Sequence, residues 1–190
     1  FSLSELIESF SLDKVNKAGA VFDTKKLDWM NSQYLREKDP SAFVHSIQQL
    51  LQNNNIHVED SYVERVFVLI KERISFIHEV PSFADYMFTD SYAIDEEYKA
   101  KHWTSESPEI IEKILPLISS IQDFTHSTIN DMMSEFTKEH SIQSKFIIHP
   151  LRLILTGKPV GAGLYDTMEV LGKQKCIQRI QDFINNQKVL

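Results

Sequence analysis

The stretch HPLRLILTGKPVGAGLYDTMEVLGKQKCIQR, His149 to Arg179, holds four of the chain's five glycines: Gly157, Gly161, Gly163 and Gly172. Leu151, Leu153, Ile154 and Leu155 predict a short buried helix, and Gly157 follows where a left-handed residue would end it. Lys158–Gly163 reads as a tight turn of rigid Pro159 and small residues, over which backbone can approach a ligand. Leu164–Leu171 predicts a second helix stopped by Gly172. Lys173–Asn186 predicts a third, with Cys176, Ile177, Ile180, Phe183 and Ile184 on its apolar face. Two readings stay open for these residues. One is a plain corner of an all-α core. The other is a pocket of small residues flanked by Arg152, suited to a planar polar ligand such as a nucleobase.

Upstream, the periodicity is helical throughout. Ser2-Leu3-Ser4-Glu5 has capping-box spacing ahead of Leu3, Leu6, Ile7 and Phe10, and Ser11–Asp13 restarts a short helix. Lys17-Ala18-Gly19-Ala20 breaks the pattern. Asp23 predicts an N-cap for Thr24–Arg36, with Leu27, Met30, Tyr34 and Leu35 as the buried stripe, leaving Lys25, Lys26 and Trp29 free to point elsewhere. Asp39-Pro40 opens a helix to Gln52, ended by Asn53-Asn54-Asn55. Asp60 or Ser61 opens another, Tyr62–Arg73, where Val63, Val66, Phe67 and Ile70 face inward. Arg73 at its end suits the helix dipole. Ser75–Glu79 predicts a short helix, Val80-Pro81 a break, and Ser82-Phe83-Ala84-Asp85 a second capping box. Helices are then expected over Asp95–His102, from Ser107 past Ile118 with Pro116 kinking it, and from Thr125 or Ser127 to His140, with Ile129, Met132, Met133 and Phe136 inward. No strand-length alternation survives, so the fold expected is all-α, with a seam near Pro81–Asp90.

At 190 residues with 42% hydrophobic and 25% charged side chains, the chain can bury a real core. Its single cysteine, Cys176, permits no internal disulfide and fits a reducing cytoplasm. No apolar run approaches the ~20 residues of a membrane span, so no membrane partner is expected. The first residue is Phe1 rather than Met, which reads as a piece of a longer protein. The net charge of −7 is unevenly spread: 0 over residues 1–36, −11 over 37–141 and +4 over 142–190. A nucleic-acid contact would therefore fall near the two ends.

Signs of a reactive centre are missing from the sequence. The seven histidines form no H-x-x-x-H pair, so no metal site is expected. Neither a phosphate loop nor a dinucleotide fingerprint nor a G-x-S-x-G elbow occurs. Acidic pairs such as Glu96-Glu97 read as solvated helix faces. What remains is recognition or scaffolding, the latter as a helical protein-interaction module that binds no RNA.

Two motifs favour recognition. FDTKKLDWMNSQYLR (Phe22–Arg36), preceded by Lys17-Ala18-Gly19-Ala20, and LRLILTGKPVGAGLYDTMEVLGKQKCIQRI (Leu151–Ile180) resemble bacterial glutamyl-tRNA synthetase. The order and spacing match between them, through VPSFADYMFTD (Val80–Asp90), and the likeness covers essentially all 190 residues. The resemblance implies a two-part helical anticodon-binding cage following a stem-contact segment: residues 1–36 for that segment, 37–85 for the first part and 86–190 for the second. It implies that the catalytic domain, with its HIGH and KMSKS-type motifs and its ATP and magnesium, precedes Phe1. This piece would then hold no cofactor, no catalytic residue and no metal. A cytoplasmic monomer is implied.

The resemblance also assigns residues. By spacing from Pro81, Arg73 is the arginine that reads the third anticodon base, a cytosine. Arg152 is the arginine of the L-R pair. The turn before G-L, here Gly161-Ala162-Gly163-Leu164 where family members often have T-P-G-L, holds the first anticodon bases, with Gly161, Ala162 and Leu164 as contacts. Lys26 and Trp29 match residues that meet the tRNA D-arm. The partner implied is a glutamate tRNA, with glutamine tRNA as a second substrate in some members. The physics agrees: splayed anticodon bases are read on their Watson–Crick edges. Cytosine offers acceptors there to a guanidinium, whereas guanine presents N–H donors that repel it.

Overall fold

The computed structural model describes residues 1–15, 19 and 21–188, so Lys17, Ala18 and Ala20 of the expected helix-breaking motif lie outside it. Helix α1 (Leu3–Ser9) opens with the expected capping box: Ser2 Oγ accepts from the Glu5 amide, and the Glu5 carboxylate accepts from the Ser2 amide at 2.6 Å. None of its residues is buried. A 3-10 turn at Leu12–Lys14 follows. Helix α2 (Thr24–Glu37) is capped by Asp23 as expected. Its buried stripe is not as read. Leu35 and Ser32 are buried, whereas Leu27, Met30 and Tyr34 are exposed. Period alone marks an apolar face; only the second half of α2 has something to pack on. There Arg36 ion-pairs Glu72 at 3.0 Å, Lys71 Nζ donates to the Arg36 carbonyl, and Asn31 donates to the Ser75 carbonyl.

The helical body begins with α3 (Ser41–Gln52), whose first turn is held by Asp39 Oδ1 accepting from the Ser41 amide. Asn55 adopts φ 57° just beyond its end, a conformation that asparagine tolerates better than most residues. Helix α4 (Asp60–Ile70) buries Val63, Val66, Phe67 and Ile70 completely. It ends at Ile70 and tightens into a 3-10 turn, Lys71–Arg73, so Arg73 sits on that turn rather than in the α-helix. After a further 3-10 turn (Ile77–Glu79) comes α5 (Val80–Phe83), with Pro81 in its first turn. Pro81 thus starts a helix instead of breaking one, because a first-turn residue needs no amide donor. The capping box expected at Ser82–Asp85 does not form: Ser82 Oγ donates back to the Glu79 carbonyl, and α6 (Asp85–Phe88) begins without a side-chain cap.

The rest is α7 (Glu96–His102), α8 (Ser107–Ser120), α9 (His126–Glu139), α10 (Lys145–Thr156), α11 (Leu164–Leu171) and α12 (Lys173–Lys188). Helix α8 runs unbroken through Pro116, and Thr125 caps α9. No strand occurs among the described residues, and the all-α expectation holds.

Helix α10 is central. It touches α6, α7, α8, α11 and α12, and it buries Ile147, Leu151, Leu153, Ile154 and Leu155 on more than one side. Each such side chain contributes about 1.5–3 kcal/mol. Gly157 ends α10 in the left-handed region at φ 69°, as read. A Cβ there would meet the Ala93 carbonyl oxygen at 2.2 Å, so glycine is required twice over. One apolar core runs from Leu35 to Ile184, across the 85/86 position where the sequence reading divides the body.

Candidate nucleic-acid interface

The turn between α10 and α11 is built from both sides. Thr156 Oγ1 donates to the Arg152 carbonyl and accepts from the Lys158 amide at 3.2 Å. Lys158 Nζ reaches across to α5 and α6, pairing Asp85 at 2.6 Å and donating to the Ser82 carbonyl at 2.8 Å. Arg152 Nη1 donates to the Ala162 carbonyl at 3.0 Å. Ala162 and Leu164 are buried, while Gly161 lies over Tyr86: a Cβ on it would stand 3.3 Å from the Tyr86 hydroxyl and 3.5 Å from Arg152 Nη1.

Tyr86 is itself completely buried, and its hydroxyl makes no hydrogen bond of good geometry among the described residues, with Thr167 its nearest polar side chain. The nearby Thr167 hydroxyl already donates to the Gly163 carbonyl at 2.8 Å. Burial raises the Tyr86 pKa, against the pull of Arg152 and, more weakly, of Arg73. One phenol thus lies in the field of both guanidinium groups.

Arg73 is exposed. It makes no hydrogen bond or ion pair to the described residues, and it lines a groove of 760 Å³ that Gly163 also lines. The groove lies between α4 and α11, with Arg65, Glu64 and Glu72 on one wall and Asp166 and Glu169 on the other. Arg65 Nη2 donates to the Glu169 carbonyl at 3.3 Å, tying α4 to the last turn of α11. His126 Nδ1 contacts Asp166 Oδ1 at 2.6 Å, and the His126 amide donates to Glu169 at 2.5 Å. These two carboxylates are therefore committed.

Of the residues singled out from the sequence, Arg152, Gly161, Ala162 and Leu164 meet at this turn, and Arg73 lines the adjoining groove with Gly163. Lys26 and Trp29 do not. They share an exposed face of α2, Trp29 being 60% exposed, about 10–15 Å along the helix axis from Arg36.

Sequence reasoning missed Tyr86, Lys158 and Arg179. Arg179 is buried, donating to the carbonyls of Leu155 (2.6 Å), Tyr86 (2.7 Å) and Thr89 (3.0 Å) and lying over the Tyr92 ring. It gathers the ends of α6 and α10 beneath the turn. The signal was its spacing: Cys176, Arg179 and Phe183 fall at i, i+3 and i+7 on the apolar face of α12.

Comparison with known proteins gives one consistent result. The family described as "Anticodon binding domain" matches residues 41–184. A glutamate–tRNA ligase of Chlorobaculum parvum is 36% identical over 190 residues, covering 95% of this chain and 38% of the relative. One of Flavobacterium psychrophilum is 34% identical over 184 residues, covering 97% and 36%. Among solved structures, a glutamate tRNA ligase of Elizabethkingia meningosepticum, determined in complex with its amino acid, superposes with a TM-score of 0.87 at 31% identity, over 96% of this chain and 36% of that one. The glutamate-tRNA synthetase of Elizabethkingia anophelis gives 0.84 at 30% identity. The chain thus spans less than two-fifths of the length of these relatives.

Proposed function

Because the chain belongs to the anticodon-binding domain family, and the relatives it matches are glutamate–tRNA ligases, we propose that it reads the anticodon of a glutamate tRNA for a ligase of that kind. Arg73 inspects the third anticodon base and Arg152, with the Gly161–Leu164 turn, the first two. Lys26 and Trp29 meet the D-arm, from the stem-contact segment of residues 1–36. The observation that supports the reading is that Arg152 is tied to the small-residue turn at the Ala162 carbonyl while Arg73 lines, with Gly163 of the same turn, the adjoining groove.

The chemistry is recognition without bond making. A guanidinium donates in a fixed plane, which suits the O2 and N3 acceptors of cytosine. Guanine would set its own N–H donors against that charge, so rejection comes from a cation left unpaired, which a greasy pocket could not achieve. Aminoacylation, with ATP and magnesium, belongs to the rest of such a ligase, since neither a HIGH nor a KMSKS-type motif occurs in this sequence.

The test is equilibrium binding of the chain to transcripts of glutamate and glutamine tRNA. Glutamate tRNA should bind at least tenfold more tightly. Equal affinity removes Arg73 from its reading role, and no binding of either transcript at low salt removes the anticodon reading itself.

A further inference from the structure

Lys158 opens the turn that carries Gly161–Leu164, where a lysine would ordinarily be read as a phosphate contact. Its surroundings oppose that role. An ammonium has three donors, and three oxygens face this one: Asp85 Oδ1 at 2.6 Å, the Ser82 carbonyl at 2.8 Å and the Phe83 carbonyl at 3.4 Å. The ammonium also lies over the Tyr86 ring, 5.9 Å from its centroid, and only 28% of the side chain is open to solvent. No donor is left over for a phosphate oxygen.

Both sides of this contact are fixed. Asp85 Oδ1 accepts from the Tyr86 amide at 2.8 Å, so the carboxylate is aimed by its own backbone. Around it Val80, Ala84 and Tyr86 are completely buried, which anchors α5 and α6 in the core. Across from them the Lys158 amide donates to Thr156 Oγ1 at 3.2 Å, and the Asp95 amide donates to the Gly157 carbonyl at 2.8 Å. The base of the turn is therefore held, while Pro159 and Val160 at its tip are exposed.

An ion pair this open to water contributes little to stability. What it sets is position. Helices α5 and α6 follow the Arg73 turn in the chain, and Lys158 begins the turn that leads to Gly163, which lines one groove with Arg73. Resting on the anticodon reading above, we infer that Lys158 and Asp85 are positioning residues, a clasp that keeps the Gly161–Leu164 turn in register with the Arg73 side of the groove and does not itself touch RNA.

The experiment compares Lys158→Met, Asp85→Asn and the double variant by titration with anticodon stem–loop hairpins of glutamate tRNA, ending the anticodon in cytosine or guanine, over a range of salt. Amide hydrogen exchange is followed on the free chain in parallel. Asp85→Asn separates the roles by sign. It removes a negative charge, which through the overall field would tighten RNA binding; as half of a clasp it should weaken binding to the cytosine hairpin severalfold. Lys158→Met should match that loss with an unchanged salt slope. The double variant should lose no more than either single one, since all three remove the same contact. Exchange at the Gly161–Leu164 amides should quicken in each, while the unfolding temperature stays close to that of the unsubstituted chain. If Lys158→Met alone weakens binding and reduces the salt slope by about 0.7, the ammonium is a phosphate contact and the clasp is wrong. If both single variants bind within twofold and exchange as before, while Arg73→Ala still loses its cytosine preference, the clasp is wrong and the anticodon reading stands. If the unsubstituted chain binds neither hairpin at low salt, the anticodon reading falls and the clasp with it.

Discussion

Arg152 Nη1 donates to the carbonyl oxygen of Ala162 at 3.0 Å, so the residue assigned to base reading also fixes the turn on which the base would rest. A guanidinium can do both, since it carries five donors in one rigid plane. An ammonium on a flexible stem has to choose. Arg152→Lys should keep its charge yet weaken anticodon hairpin binding about tenfold or more, in line with the ~1.5–3 kcal/mol of a charged hydrogen bond. Thermal unfolding should move by only about 2–4 °C. Hairpin titration and calorimetry check the pair of outcomes; unchanged affinity would leave Arg152 a purely structural residue.

Arg73 makes the opposite case, because no hydrogen bond or ion pair to the described residues holds it. Arg73→Ala should leave stability within about 0.5 kcal/mol, as for surface substitutions generally. Its effect should appear as lost discrimination between cytosine and guanine at the third anticodon position, through weaker binding to the first and relieved repulsion of the second. Competition titrations with the two hairpins measure the ratio directly.

Half-buried Tyr62 and fully buried Tyr86 should respond differently to loss of their hydroxyls. Tyr62 donates to the Met87 carbonyl at 2.8 Å, and burial pushes its pKa up to about 12. Tyr62→Phe strands that carbonyl and should cost about 1–2 kcal/mol. The Tyr86 hydroxyl is desolvated without a partner, so Tyr86→Phe removes an uncompensated group and should be neutral or stabilising by up to ~1 kcal/mol. Urea unfolding of both variants decides it; a clear loss in Tyr86→Phe would mean its hydroxyl is bonded within the chain.

Gly157 illustrates what could be read from the sequence and why. The need for φ 69° at the end of α10 is written in the residue type, and so were the ends of α11 and the N-caps Ser2, Asp23 and Thr125, because these are local constraints. Whether the apolar face of α2 has a partner is a tertiary matter, which is why Leu27, Met30 and Tyr34 were misread. Arg179 was missed for a similar reason: three carbonyls from α6 and α10 converge on it only after folding. At the candidate site the resemblance supplied the individual arginines, but the groove shared by Arg73 and Gly163 and the phenol beneath Gly161 exist only in three dimensions. Gly157→Ala should test the local part. It forces a left-handed alanine, costing about 1–2 kcal/mol, and drives a methyl onto the Ala93 carbonyl. Gly172→Ala bears backbone strain alone, since a Cβ there meets nothing within 4 Å. Gly157→Ala should therefore unfold at the lower temperature of the two by calorimetry.

The stacked pair His102–His149 should make stability fall on the acid side of neutrality. Burial lowers the pKa of both rings, and for His149 the charges of His102, Arg152, Lys101 and Lys145 lower it further. A histidine whose folded pKa lies below its unfolded value of ~6.5 binds its proton more readily in the unfolded chain. Above that value both states are neutral and the pair contributes its full packing. As pH drops from 6.5 towards the folded values, the unfolded state gains protons first and stability is lost. The loss levels off once the folded rings protonate too. Replacing both residues, in His102→Gln with His149→Gln, removes this term, so the double variant should lose less stability between pH 7.5 and pH 5.5 than the unsubstituted chain does. Other carboxylates and histidines titrate in both proteins, and the difference between the two pH profiles isolates the pair. Parallel profiles would place the rings in an environment no different from that of the unfolded chain, contrary to their stacking at 4.1 Å beside three basic side chains.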